Sequence, residues 1–191
     1  MNTTGGTFSN DGTKVAICGS GTDVVKYATL STAWDVSTVG SFTTARSNFN
    51  TANLGTIQFI NDGQYFFRGS TGGSSYKIFE LASAYDLASA PTAEYGTTAS
   101  GVWMCIKKDG TQGAGVYNPA SETSIVEHTY STAFDPSSFT QTDIIAFSSL
   151  FTGLVEVDGV CSSTEASGPN ENKHLYFYDN STEKLFHMVA S

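Results

Sequence analysis

Charged side chains are scarce in this chain of 191 residues. They make up 14% of the sequence, against roughly 25% in typical soluble domains. Only 9 of them are Lys or Arg, and the formal net charge at pH 7 is −9. Because binding to a phosphate backbone depends on clustered basic side chains, we expect no contact with nucleic acid.

Long apolar runs and a secretion leader are also missing. No stretch approaches the ~18 consecutive apolar residues of a membrane-spanning helix, so we expect no membrane insertion. The first residues, MNTTGGTF, have neither the basic start nor the apolar segment of a signal peptide. We therefore expect a protein that is made without a signal peptide.

Cysteine is the third scarce component. The three cysteines, Cys18, Cys105 and Cys161, are widely spaced, and an odd, scattered set does not indicate a disulfide framework. We expect each to pack as a small apolar residue.

The histidines and the sequence motifs indicate no metal, cofactor or nucleophile site. His128, His174 and His187 lack the spacing of metal ligands, and no phosphate-binding loop or nucleophile motif occurs. The sequence predicts no metal and no cofactor.

What the sequence does contain is a repeat. The phrase LSTAWDVST (30–38) returns as LASAYDLAS (81–89) and as YSTAFDPSS (130–138). Asp-Gly pairs begin at Asp11, Asp62, Asp109 and Asp158, at separations of 51, 47 and 49 residues. A period of about 50 residues is typical of propellers and other repeat architectures. The chain is therefore divided into four units, at about 5–53, 54–99, 100–151 and 152–191.

Each unit contains four short segments of strand character. In the second unit these are GTIQFI (55–60), QYFFRGS (64–70), YKIFEL (76–81) and TAEYGTT (92–98), with the turn sequence NDG between the first two. Sixteen short strands in repeated groups of four predict an all-β fold, a single-domain four-bladed β-propeller of antiparallel blades. The alternative is an incomplete ring that oligomerisation completes.

The repeated residues are interpreted as parts of this scaffold. Each aromatic residue before an Asp should pack against an adjoining sheet, and each of those Asp side chains should accept backbone N–H bonds. The Asp-Gly pairs should form hairpin turns. The predicted structural turn residues are Asp11, Gly12, Trp34, Asp35, Asp62, Gly63, Tyr85, Asp86, Asp109, Gly110, Phe134, Asp135, Asp158 and Gly159.

The repeat resembles a known family. The phrase FSNDGTKV, followed by VVKYATLSTAWDVST, is similar to propeller-like repeats of bacteriophage virion proteins and marine bacterial proteins, best over residues 8–38. The resemblance implies a structural or adhesion protein of a phage-like virion, such as a capsid decoration or tail-associated protein. It also implies assembly in the host cytoplasm, location in the virion and oligomeric contacts with other virion proteins.

Binding residues are expected on the variable loops, because rigid scaffolds tend to carry function there. One variable loop spans residues 43–55, and another spans residues 162–173. The candidate partner- or ligand-binding residues on them are Arg46, Asn48, Phe49, Asn53, Asn170, Glu171 and Asn172.

Two further functions can be weighed from the residues. A propeller glycosidase needs carboxylates that converge near the axis, and the predicted inner strands offer only Glu156. We therefore expect no enzymatic activity. Exposed Asn, Asp and aromatic side chains could instead bind a sugar, so a lectin-like module that recognises a host-surface glycan is the alternative function.

Overall fold

The structure is a computed structural model that describes residues 2–20, 22–70, 76–97, 103–117, 124–146, 159–162, 174–179 and 184–189. Within them the chain is all-β, with three short 3₁₀ helices at Val36–Thr38, Ser47–Phe49 and Pro136–Ser138. No helix of this described part is long and apolar enough to cross a membrane.

The strands form four separate antiparallel sheets, in chain order. The first sheet contains β1 (Asn2–Phe8), β2 (Lys14–Ser20), β3 (Val24–Thr29) and β4 (Thr43–Thr44). The second contains β5 (Leu54–Ile60), β6 (Tyr65–Ser70), β7 (Tyr76–Glu80) and β8 (Ala93–Thr97). The third contains β9 (Trp103–Ile106), β10 (Gln112–Tyr117), β11 (Ser124–Tyr130) and β12 (Phe139–Ala146). The described strands of the fourth are β13 (Gly159–Ser162), β14 (His174–Asp179) and β15 (Lys184–Val189).

Each of the first three sheets is one sequence repeat, and neighbours in the sheet are neighbours in the chain. The last strands of the first and third units differ greatly in length. The first unit ends on the two residues Thr43–Thr44, whereas the last strand of the third unit is Phe139–Ala146. The segment 153–157, expected as the first strand of the fourth unit, lies outside the described residues.

The first strands of successive units pack side by side. β5 lies against both β1 and β2, and β9 lies against β5. The main apolar cluster spans the first two units and includes Val25, Leu54, Phe66 and Phe79. A second cluster joins the second unit to the third through Phe67, Ile78 and Ile106, among others. Packing between successive units therefore provides much of the core.

One polar side chain at an equivalent position joins the first unit to the second and the second to the third. The Thr7 hydroxyl accepts a hydrogen bond of 3.2 Å from the Phe59 backbone N–H. The Gln58 amide accepts from the Ile106 N–H at 2.8 Å and donates to the Ile106 carbonyl at 3.0 Å. Thr7 and Gln58 both stand four residues before the Asp of their Asp-Gly turn. These two junctions therefore share a polar contact at the same repeat position.

Candidate functional site

In each of the first three units, the Asp-Gly turn and the aromatic-Asp turn are joined to each other. The backbone N–H groups of Trp34, Tyr85 and Phe134 donate to the carbonyls of Gly12, Gly63 and Gly110, at 3.0, 2.9 and 3.0 Å. The ring of each aromatic residue lies directly over the same glycine. A Cβ added to any of the three glycines would lie within 2.5 Å of ring atoms. Glycine is therefore required here for both space and its positive φ.

The aromatic residues adopt an unusual backbone conformation to reach these glycines. Trp34, Tyr85 and Phe134 have φ angles of 65, 61 and 60°, a region that bulky residues seldom occupy. The same conformation occurs at the same place in three units. The ring-over-glycine contact is therefore a built feature of the repeat.

The Asp after each aromatic residue holds the turn, the role that the sequence predicts. The Asp35 carboxylate accepts from the backbone N–H and the hydroxyl of Ser37, at 3.0 and 2.7 Å. Asp135 makes the same pair of bonds with Ser137. Asp86 accepts from the backbone N–H groups of Ala88 and Ser89, at 2.9 and 3.1 Å. These carboxylates are part of the scaffold.

The Asp-Gly turns do not all have the same geometry. Positive φ at Asn61 and Asp62, expected of a type I′ turn, occurs only in the second unit among the described turns. In the first unit only Gly12 of the NDG sequence has positive φ. The difference follows from the next residue, because Thr13 donates its backbone N–H and hydroxyl to Asp11, at 3.0 and 2.8 Å.

The third unit repeats the arrangement of the first, with Thr111 bound to Asp109. The second unit has Gln64 at the corresponding position. There the Asp62 carboxylate bonds outward instead, to the Asn10 amide and to the Lys108 ammonium, the latter at 2.9 Å. Asp62 thereby connects the second unit to the first through Asn10 and to the third through Lys108. The hydrogen bond from Lys108 lowers the pKa of Asp62.

The aromatic rings also reach back to the preceding unit. The Phe134 ring stacks on Tyr65 of the second unit, with 3.9 Å between centroids and 7° between planes. The Tyr85 ring lies under the Lys14 ammonium of the first unit, at 5.8 Å, and its hydroxyl accepts from the Asn10 N–H at 3.2 Å. Lys14 and Tyr65 are equivalent, each three residues after its Asp.

The residue after each aromatic-Asp pair is apolar and is buried in two units. Leu87 is fully buried in the cluster shared with the first unit, and its carbonyl accepts from the Arg46 N–H at 3.0 Å. Pro136 is buried in a 3₁₀ helix that packs against β7 and β8 of the second unit. The equivalent residue of the first unit, Val36, is 64% exposed.

An exposed apolar surface results on the first unit. Trp34 is 61% exposed, Val39 37% and Phe42 40%. We call Trp34, Val36, Val39 and Phe42 the leading edge. Among the side chains whose exposure the structure describes, one other large hydrophobic residue has comparable exposure, Leu185 on β15 of the fourth unit.

The predicted loop residues divide into different groups. Arg46 and Asn48 are exposed on the loop between β4 and β5. Asn53 is also exposed, and its backbone N–H donates to the Asp23 carboxylate at 2.8 Å. The prediction that Phe49 belongs to a binding surface is wrong. Its side chain is completely buried and makes edge-on contacts with Phe66 and Phe79, so it belongs to the core and not to a binding surface.

The remaining predicted residues fall at the end of the chain. Asn170, Glu171, Asn172 and Asp158 lie outside the described residues. Gly159 is the first residue of β13.

Several ionisable groups are buried, and burial shifts their pKa values. Burial lowers the pKa of His128 to about 4 and raises that of the Cys18 thiol to about 11. Burial also lowers the pKa of Arg68, whose guanidinium lies over the Phe79 ring at 5.6 Å. These pKa shifts are caused mainly by burial, and they do not indicate an acid–base pair. In the described part of the chain, no group of His, Cys, Asp and Glu is placed to hold a metal ion.

Comparison with known proteins identifies the fold and no family. No protein-family model matches the sequence, and none of the curated proteins is similar to it. Solved structures match over almost the whole chain at low sequence identity. A candidate 6-phosphogluconolactonase of Bacteroides uniformis matches with a TM-score of 0.53 and 14% identity, over 99% of this chain and 55% of that one.

Two other structures match in the same way. A chain of a nidogen–laminin complex has a TM-score of 0.61 and 10% identity, over 98% of this chain and 75% of that one. Hydrazine synthase of Kuenenia stuttgartiensis has a TM-score of 0.51 and 13% identity, over 98% and 49%. The chain thus spans about half the length of two of these three proteins. The likeness supports a β-rich, propeller-like fold.

Proposed function

We propose that the protein is a non-enzymatic structural or adhesion component of a phage-like virion that acts through protein–protein contacts. The observation that carries this proposal is the leading edge. Four large apolar side chains are exposed within residues 34–42, and large exposed apolar patches mark interaction sites in soluble proteins. Trp34 and Phe42 are of the aromatic type that is enriched at protein interfaces. The virion setting rests on the resemblance of the repeat.

The proposal includes the arrangement of the sheets. The four sheets are successive blades of a β-propeller, and the exposed leading edge favours the incomplete ring over a closed four-bladed one. In a closed ring the first unit would have a preceding neighbour, as the second and third units do. The conserved packing of Leu87 and Pro136 against that neighbour would then extend to Val36.

The first test is light scattering or mass photometry on the purified chain, alone and mixed with virion structural proteins from the same source. A complex with a capsid or tail protein is expected, whether or not the chain also associates with itself. A chain that binds none of these proteins would contradict the proposal. The exposed loop residues Arg46 and Asn48 supply a second set of variants, to locate the surface that binds the virion protein.

A carbohydrate-binding role is the second candidate, and one observation favours it. One face of the Trp34 indole lies over Gly12, while the side chain as a whole is 61% exposed. An exposed indole is a suitable platform for stacking a sugar ring. Screening on a glycan array tests it, and binding that is lost in Trp34→Ala but kept in Phe42→Ala would favour this function over the first.

A further inference from the structure

We propose that the leading edge binds the last unit of a second copy of this chain, so that copies associate head to tail. This inference rests on the proposed function, in that it names the partner of a protein–protein surface. The junctions inside the molecule support it, because they show what the equivalent residues of a later unit contact.

Three of the four positions of the leading edge have counterparts in the third unit that contact the second. Phe134, the counterpart of Trp34, stacks on Tyr65. Pro136, the counterpart of Val36, is buried in the 3₁₀ helix against β7 and β8. Phe139, the counterpart of Val39, lies 6.4 Å from the Tyr76 ring. The surface that fits the leading edge is therefore the trailing side of a blade of this repeat.

The first unit exposes apolar side chains where the third unit makes its junction. Trp34, Val36 and Val39 are exposed, whereas their counterparts in the third unit contact the second unit. Phe42 is exposed as well. The leading edge therefore has the apolar character of the established junctions.

The fourth unit supplies the complementary side. β15 is the last strand of its sheet, as β8 is in the second unit, and β8 packs against the 3₁₀ helix of the following unit. Leu185 on β15 is 67% exposed. A second copy placed with its first unit against β15 would cover Leu185 and the leading edge in one contact.

The length of similar structures favours two copies. The chain covers 55% and 54% of the candidate 6-phosphogluconolactonases of Bacteroides uniformis and Bacteroides fragilis. Two copies together are therefore slightly longer than such a protein. A head-to-tail contact closes into a ring when the rotation between copies allows it, and otherwise it continues as a filament. We infer a two-copy ring with two identical junctions.

The test uses single substitutions at exposed positions, which leave the core intact. Val36→Asp places a charge on the leading edge, and Leu185→Asp places one on β15. Ala82→Asp is the matched control, because Ala82 is exposed on the equivalent turn region of the second unit. Sedimentation velocity over a range of concentrations measures association, and circular dichroism checks that each variant is folded.

The wild-type chain and Ala82→Asp are expected to form the same dimer. Val36→Asp and Leu185→Asp should each weaken association by at least about tenfold, equivalent to ~1.4 kcal/mol. A mixture of these two variants should recover association, since one junction in the mixed dimer has both native surfaces. If Leu185→Asp associates like the wild type while Val36→Asp does not, the contact is leading edge to leading edge and the head-to-tail arrangement is wrong.

Quenching of tryptophan fluorescence by acrylamide gives a second readout. The difference between the wild type and Trp34→Phe isolates the signal of Trp34, which should become protected as the concentration rises. A chain that stays monomeric alone but binds a virion protein overturns this inference and leaves the proposed function standing. A dimer that shows the expected variant effects but binds no virion protein supports this inference and contradicts the proposed function.

Discussion

A glycine under an aromatic ring is the most constrained position in each repeat. Gly63 has a φ of 77°, and a Cβ there would lie 2.4 Å from the Tyr85 ring. Gly63→Ala should lower the free energy of unfolding by about 2 kcal/mol or more, because it adds backbone strain and displaces the ring. Denaturant titration measures this loss.

The control for that substitution is Gly6→Ala. Gly6 is exposed in β1, and an added Cβ would meet its nearest atom, the Ala16 carbonyl oxygen, at an ordinary 3.5 Å. Its effect should stay within about 0.5 kcal/mol. Equal losses for the two variants would show that the ring-over-glycine contact does not stabilise the fold.

His128 makes stability depend on pH. Burial holds its pKa at about 4 in the folded chain, against 6.5 when unfolded. The folded state therefore binds fewer protons, so stability is complete above pH 6.5 and declines as the pH falls towards 4. We expect a loss of roughly 3 kcal/mol over this window. Thermal unfolding of the wild type and His128→Gln at a series of pH values measures the difference.

Asp11 provides the comparison, because it titrates in another window. Hydrogen bonds from Ser9 and Thr13 lower its pKa to about 2, from 3.8. Its contribution is present above pH 3.8 and is lost only as the pH falls towards 2. A slope between pH 6.5 and 4 that remains in His128→Gln would mean that another group causes it.

At the scale of elements, the stacked pair between the second and third units can be measured directly. Tyr65 and Phe134 lie parallel at 3.9 Å and belong to different sheets. A double-mutant cycle with Tyr65→Leu and Phe134→Leu should give a coupling energy of about 0.5–1.5 kcal/mol. The control pairs Tyr65→Leu with Trp34→Leu, which should be additive. A coupling of zero for the first pair would exclude the stack as a source of junction stability.

The elements were largely predictable from sequence, because alternation and turn residues are local signals. The four strands of the second unit, and the bonds of Asp35, Asp86 and Asp135 to the turns after them, follow from such signals. The interpretation of Phe49 failed because a loop position says little about burial. That residue sits in a one-turn 3₁₀ helix that directs it between Phe66 and Phe79, a contact between segments that no local pattern encodes.

The leading edge was missed for a related reason. The three residues after the aromatic-Asp pairs, Val36, Leu87 and Pro136, are all apolar, which is a signal of burial that an alignment of the repeats contains. What the alignment does not contain is which unit has a neighbour. Exposure of Val36 and burial of Leu87 are properties of the assembled array and not of the repeat.

At the scale of the whole molecule, net charge should influence self-association. Two copies of a chain with a net charge of −9 repel each other, while the proposed contact is mainly apolar. Added salt screens the repulsion and leaves apolar burial in place. The dimer fraction in sedimentation velocity should therefore increase with the concentration of sodium chloride. A dimer that dissociates in salt would instead indicate a contact made by opposite charges.

The ring-over-glycine contact also bears on how such chains change in length. The Tyr85 and Phe134 rings join their own turns to the unit before them, so one full repeat encodes one full junction. Duplication or deletion of a segment one repeat long recreates the same junction at the new boundary, whereas a change of any other length separates a ring from its glycine. Genetic variation in steps of about 50 residues is therefore compatible with folding, and the number of blades becomes a quantity that evolution can adjust.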